Sequence, residues 1–273
     1  MSKEAKEAKE APSLMMADQT IGILGGTGKT GKWAVKAALQ QGAKVKVLCR
    51  NPDKLKRIYS TLWDDGAMPE TLAYDKIVEN GRLVVITGSL PIGGEKGGQY
   101  STPNGEQISS INKLVNGSTH ILSFLGMDPK NMVPICRPAI EAIMNAVASC
   151  DMIQKPKILI MSSIVLMDSY AQGKAAWGCC GCVGRLMRWR ILRNVFDDME
   201  AAEEYIIDNR GKKGLDVTLL RATVLSDKKN YYMDYLAKQS RYYIVTAEEL
   251  KKVKMNVDRQ HVVQCFMDAV VDK

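Results

Sequence analysis

Ten consecutive residues limit what this chain can fold into: Gly22-Ile23-Leu24-Gly25-Gly26-Thr27-Gly28-Lys29-Thr30-Gly31. Before the glycines, Thr20 to Leu24 reads as a short buried strand. After them, Ala34, Val35, Ala38 and Leu39 fall on one helical face. A glycine-rich turn therefore joins a strand to a helix. Gly25, Gly28 and Gly31 recur every third residue. The first allows a tight turn, the second lets backbone approach a bound pyrophosphate, and the third lets helix pack close to strand. The helix start adds unpaired N–H groups and the positive end of a dipole. Gly25, Gly26, Thr27, Gly28, Lys29, Thr30 and Gly31 are thus candidate cofactor-binding residues. Gly28-Lys29-Thr30 also looks like the end of a triphosphate-binding loop. That motif needs a glycine five residues before Gly28, where Ile23 stands.

Downstream, strand and helix patterns alternate. Lys44 to Cys49 reads as a second strand, ending at Arg50. An acid at this position would bind the ribose 2′-hydroxyl of NAD, whereas an arginine accommodates the 2′-phosphate of NADP. Lys29 and Lys54 can add charge nearby. A helix runs from Lys54 to about Leu62, then a polar, irregular stretch from Trp63 to Asn80. Arg82 to Thr87 forms the third strand, and Gly88-Ser89 follows where adenine would lie. Pro91 to Gln107 is glycine-rich and aperiodic, a long loop. Ile111, Leu114 and Val115 mark a helix before the fourth strand, Thr119 to Phe124, which leads into Leu125-Gly126. A helix from about Pro134 to Cys150 precedes the fifth strand, Lys157 to Met161, followed by Ser162-Ser163. Asn194 to Asn209 is amphipathic with Val195, Met199, Ala202 and Ile206 inward. Asp216 to Arg221 forms a sixth strand, Tyr242 to Thr246 a short one, and Asp258 caps a last helix with Val262, Phe266 and Ala269 inward. The alternation predicts an α/β fold with a doubly wound parallel sheet.

The residues Gly25 to Gly31, Val45 to Leu55 with Arg50, Phe124-Leu125-Gly126, Lys157 to Met167, Asp216 to Arg221 and Asn256 to Val270 together resemble one group. It is the atypical short-chain dehydrogenases/reductases, with their NmrA-like and NAD(P)H-binding members, among them the biliverdin and flavin reductases. The resemblance spans about Thr20 to Val271 and implies a Rossmann-type fold binding a nicotinamide cofactor. It also implies a serine after the fifth strand, matched by Ser163, that orients the carboxamide or polarises substrate, with Ser162 beside the cofactor. The biliverdin-reducing members carry a histidine after the sixth strand, where this chain has Thr223. That departure bears on biliverdin as a substrate more than on flavin reduction, which needs proximity and stacking rather than a dedicated acid. Tyr170 and Lys174 reproduce the Tyr-x-x-x-Lys pair of typical short-chain dehydrogenases, in which lysine lowers the tyrosine pKa. Ser163 lies only seven residues before Tyr170, and Asp168, Ser169 and Gly173 disfavour a helix, so chance spacing in a loop competes.

Seven cysteines, an odd number, and no secretory signal at the start point to reduced thiols in a reducing, cytoplasmic setting. Cys49, Cys136, Cys150 and Cys265 sit in apolar contexts and read as packing residues. Cys179, Cys180 and Cys182 cluster beside Arg185, Arg188, Arg190 and Arg193. A redox or half-metal site, an acylated or membrane-touching segment, and a lid helix all compete there, and the lid is favoured because no second ligand pair is visible. No metal is expected. The formal charge of +8 carries little weight by itself, and no nucleic-acid partner is read from it.

The reading that results is a tail over residues 1–18 and one Rossmann-type domain over residues 19–273. Insertions fall at about 63–80, 91–107 and 168–193, with a small C-terminal substrate-side portion. The expected activity is hydride transfer from NADPH to a small planar acceptor: a flavin, a quinone or a conjugated carbonyl. Ser163, Tyr170 and Lys174 are the candidate catalytic residues. Cofactor contacts extend from the glycine loop to Arg50, Gly88, Ser89, Leu125, Gly126 and Ser162. A non-catalytic NADP-binding regulator and a membrane-associated assembly factor are the alternatives.

Overall fold

Strands covered by helices on both sides need apolar residues on both faces. The computed structural model describes residues 15–63, 68–93, 102–126, 133–163, 193–222, 224–226 and 256–271. Strands β1 (Thr20–Leu24), β2 (Lys44–Cys49), β3 (Leu83–Thr87), β4 (His120–Ser123), β5 (Lys157–Ser163) and β6 (Val217–Ala222) form one sheet in the order β3-β2-β1-β4-β5-β6. Every pairing in it is parallel. The chain builds outward one way from β1 and then resumes on its other side at β4. The C-terminal ends of β1 and β4 therefore flank the point where strand order reverses, where ligands bind in open α/β sheets.

Helices α1 (Gly31–Gln40), α2 (Pro52–Ser60), α3 (Tyr74–Glu79), α4 (Gly105–Val115), α5 (Cys136–Ser149), α6 (Arg193–Asn209) and α7 (Arg259–Val271) cover the sheet. Alternation along the strands divides the core into two layers. Ile21, Ile23, Val45, Val47 and Leu159 pack with α1 and α7. Leu24, Leu48, Ile121, Ile158 and Ile160 pack with α4, α5 and α6. A separate two-stranded parallel sheet joins β7 (Val224–Ser226) to β8 (Asn256–Asp258). Asp258 then accepts the Gln260 N–H at 2.9 Å, the cap expected at the start of α7.

Four expectations change. Met16, placed in the tail, is fully buried in the α1-side core, and its N–H donates to Gln41 O at 3.0 Å. The stretch 63–80 is not irregular throughout: a 3₁₀ turn (Glu70–Leu72) and α3 bury Leu72 and Ile77. Helix α4 starts within the expected 91–107 loop, because Asn104 and Gln107 form a capping box. Strand β5 continues through Ser162 and Ser163, and both pair with β6. Of the 168–193 insertion only Arg193 is described. The cysteine cluster, Tyr170, Lys174, Thr223 and the Tyr242 to Thr246 strand lie outside the described residues.

Candidate functional site

In a parallel sheet the ends of all strands meet along one edge. That edge brings together the turn after β1, Arg50 after β2, Gly88-Ser89 after β3, Leu125-Gly126 after β4 and Ser162-Ser163 at the end of β5.

The glycine turn is built from backbone contacts. Gly25 has φ +73°, and a Cβ there would stand 2.8 Å from Phe124 O, so the turn lies against the end of β4. Gly25 O accepts the Gly28 N–H at 2.8 Å. A Cβ on Gly31 would stand 2.2 Å from the same oxygen, so the helix can begin there only without a side chain. Gly26 is held against Val47 in the same way, at 2.8 Å. Gly28 is exposed, and apart from Gly25 O nothing lies within 4 Å of where its Cβ would be. The outer face of the loop is thus open backbone. Lys29 is exposed, Thr27 half-buried and Thr30 buried.

Helix starts on this edge differ in one respect. Asn51 caps α2 by accepting the Lys54 N–H at 2.9 Å. Asn104 and Gln107 cap α4. Asp198, reaching from α6, caps α5, accepting N–H groups of Ile135 at 2.9 Å, Cys136 at 2.8 Å and Arg137 at 3.1 Å. Helix α1 has neither a side-chain cap nor an acid in its first turn. Its Lys32 N–H donates to Gly28 O at 3.2 Å and its Trp33 N–H to Thr30 O at 3.0 Å, and among the described residues no anion faces the positive end of its dipole.

Arg50 is exposed at the end of β2. The preceding Cys49 is buried, and desolvation pushes its thiol pKa up, against a weaker pull from the Asn51 backbone. Gly88 donates to Cys49 O at 3.1 Å and lies tight against Ser110 of α4. Ser89 is exposed, and the Gln107 amide reaches its Oγ at 3.4 Å and Leu90 O at 3.1 Å. Leu125 turns its side chain into the α4–α5–α6 core, so it offers only backbone to a ligand, while Gly126 is exposed.

The two serines part company. Ser162 is buried and donates to the Glu203 carboxylate, which also takes Arg221 Nε at 3.2 Å and Nη2 at 2.7 Å. Its hydroxyl is committed to α6, so the expected cofactor contact does not run through it. Ser163, one residue on, lies on the opposite face of the strand and is half-buried. Sequence reasoning missed Asp198 and Glu203. Both are acids at inward phases of α6, one residue from Met199 and Ala202 respectively, and that phase was the available signal.

Among the described residues no cluster of three or more His, Cys, Asp or Glu is placed to hold a metal. No described helix is long and apolar enough to cross a membrane.

A parallel α/β sheet whose strand order reverses beside a glycine-loop helix without a side-chain cap has a dinucleotide-binding architecture. The chain belongs to the NAD(P)H-binding family, whose model matches residues 25–273. An oxidoreductase of Pestalotiopsis microspora is 26% identical over 196 residues, covering 68% of this chain and 60% of that protein. The chain thus spans about three-fifths of that relative's length. Among solved structures, an oxidoreductase of Lactococcus lactis superposes with a TM-score of 0.55 at 13% identity, over 92% of this chain and 84% of its own. A Bacillus halodurans protein described as an NAD-dependent epimerase/dehydratase does so at 0.52 and 10% identity, over 93% and 88%. At such identities these likenesses establish the fold alone.

Proposed function

We propose that this chain is an oxidoreductase that binds NADPH across the C-terminal edge of its sheet and passes hydride to a small planar acceptor, a flavin, a quinone or a conjugated carbonyl. The observation that carries the reading is the contrast among helix starts. Asn51, Asn104 and Asp198 occupy those of α2, α4 and α5, while α1 meets an open glycine backbone and no acid. A pyrophosphate would suit that cradle, because the outer face of Gly28 is open and α1 turns the positive end of its dipole toward it.

Arg50 supports the choice of NADP. It stands where the adenosine ribose would lie, and a guanidinium binds a 2′-phosphate in bidentate fashion. Exposed Lys29 and Lys54 add charge on the same side. Gly88, Ser89 and the backbone at Leu125 and Gly126 line the remaining path. When bound, the nicotinamide supplies the hydride. Ser163 orients its carboxamide or polarises the acceptor. Tyr170 and Lys174 are the acid pair the sequence offers for proton delivery.

The test is NADPH oxidation followed at the nicotinamide absorbance with a panel of flavins and quinones, beside calorimetric titration with NADPH, NADH and ATP. Turnover with at least one acceptor is the expected result. NADPH bound without turnover of any acceptor would assign a nucleotide-sensing role instead. Tight ATP binding with no NADPH binding would overturn the reading altogether.

A further inference from the structure

Glu203 is a carboxylate only 1% exposed, in a layer otherwise packed with Ile160, Ile206 and Leu219. Burying a charge there is costly, and apolar residues of similar size often stabilise such sites as well or better. The acid therefore calls for a reason beyond packing. Its partners supply one. Ser162 donates to it from β5, and Arg221 donates two bonds to it from β6. Ser162 and Arg221 are direct partners across the two strands, and Ser163 with Ala222 is the last pair before the edge. One side chain on α6 thus grips the ends of two adjacent strands, a single residue short of the site.

We propose that Glu203 is a positioning residue for Ser163. Side chains alternate along a strand, so a Ser162 held on the α6 face directs Ser163 to the opposite face. That face carries Leu159 and Met161, packs against α1 and α7, and leads to the helix whose start bears the glycine loop. Without the grip, the ends of β5 and β6 lose the tie that α6 gives them beside the final pair. Ser163 then loses its fixed aim. The inference rests on the proposed function, in which Ser163 meets the nicotinamide end of the cofactor. The glycine loop and Arg50, which hold the phosphates, do not contact Glu203, so affinity and chemistry should separate.

The experiment compares the full chain with Glu203→Gln, Glu203→Asp and Ser162→Ala, recording the NADPH Kd, kcat, acceptor KM and Tm of each. An amide keeps the shape of Glu203 but removes its charge and places a donor against Arg221. The expected result for Glu203→Gln is a kcat lowered by about 10- to 100-fold, as for other misplacements on the order of 1 Å, with the NADPH Kd within about twofold of the parent. Glu203→Asp should recover part of the loss, and Ser162→Ala should shift kcat in the same direction by less. An unchanged kcat in Glu203→Gln, or Kd and kcat worsening together in step with Tm, would overturn the proposal. If the parent binds NADPH but reduces no acceptor, the fluorescence of bound NADPH replaces kcat. Altered nicotinamide emission at constant Kd then supports the positioning role, and unaltered emission refutes it. A parent that binds no NADPH refutes the proposed function itself, and that failure shows before any variant is made.

Discussion

The same substitution should act with opposite sign at the first residue of two helices. Gly31 opens α1 and Gly105 opens α4. A Cβ on Gly31 would stand 2.2 Å from Gly25 O, 2.7 Å from Gly25 C and 3.1 Å from the Gly26 Cα. All three atoms are backbone, and Gly25 O is further held by the Gly28 N–H. Relief needs a backbone shift on the order of 1 Å, and forced overpacking of this kind costs about 1–3 kcal/mol. The gain from alanine's lower unfolded-state entropy, about 0.4–1 kcal/mol, does not cover it. At Gly105 nothing lies within 4 Å of the same position, so only the gain remains. Gly31→Ala should therefore lose about 1 kcal/mol net and Gly105→Ala should gain up to about 1 kcal/mol. Urea denaturation of parent and both variants measures the difference from midpoints at a common slope. Gly31→Ala should also weaken NADPH by more than about tenfold, because the turn that presents N–H groups to phosphate is displaced. A Gly31→Ala protein as stable as Gly105→Ala would refute the reasoning, since it would mean that α1 and the turn are not in this contact.

Arg50→Asp should invert the preference for NADPH over NADH, because a carboxylate repels the 2′-phosphate and accepts from the ribose hydroxyl. Each lost charge-assisted bond contributes about 1.5–3 kcal/mol, and a ratio of dissociation constants that barely moves would place Arg50 outside the site. Asp198→Ala leaves three backbone N–H groups at the start of α5 without their carboxylate, and should cost about 3 kcal/mol in chemical denaturation. Burial, then the nearby Lys157, hold the His120 pKa down at about 4, with Asp216 pulling weakly upward. Between pH 6.5 and 4 the unfolded chain thus binds one more proton than the folded one, so stability should fall with pH by about 1.4 kcal/mol per unit, about 3 kcal/mol in all. His120→Leu should remove that slope, and an identical pH profile in the variant would show that other groups produce it.

What was legible in the sequence is what a local pattern can encode. Strands covered on both faces need apolar residues on both, and β1 and β3 show this directly, whereas Lys44 and Lys46 share one face of β2. The glycine turn was legible because its requirement is on backbone space, which only one residue type meets. Helix α3 was hidden because Leu72 and Ile77 are the only fully buried anchors among the described residues of its segment, too few to show a period. Met16 was hidden because the short apolar run Leu14-Met15-Met16-Ala17 is too brief to show a helix or strand period. Ser162 was paired with the cofactor because it stands beside Ser163. Its partner Glu203 lies 41 residues away, and no local pattern announces an acid that accepts from another strand. Asp198 caps a helix that begins 62 residues earlier, a cap supplied by the fold and not by the neighbouring chain.

The helix ends far from the site explain part of the positive charge that the composition left unassigned. The Arg82 guanidinium donates to Leu39 O at the end of α1, at 2.5 Å, and the Lys36 ammonium to Leu62 O just past α2, at 2.8 Å. Lys46 reaches Lys113 O at the end of α4 at 3.3 Å, and Lys155 reaches Ala148 O at the end of α5 at 2.8 Å. Lys46 and Lys155 thus bond carbonyls in the last turns of α4 and α5, Arg82 adds a second donor to Leu39 O, which also takes the Gly42 N–H at 3.2 Å, and Lys36 serves a carbonyl just beyond α2, where the dipole favours positive charge. Among the described residues, side chains bond both ends of α2, α4 and α5, with Thr61 Oγ1 donating to Ile58 O of α2 at 2.8 Å, whereas α1 has a side-chain partner at its C-terminus alone. If the open start of α1 binds phosphate through its own N–H groups, the far end should matter little to affinity, because the dipole effect fades within about one turn. Arg82→Met keeps most of the stem and removes the donor. It should cost about 1 kcal/mol of stability, a hydrogen bond to a charged group offset by regained side-chain freedom. The NADPH Kd should stay within about twofold, measured by calorimetry at low ionic strength where a dipole effect would be largest. A tenfold loss of affinity at unchanged stability would mean that phosphate binding depends on the whole helix as a dipole, and not on the N–H groups of its first turn.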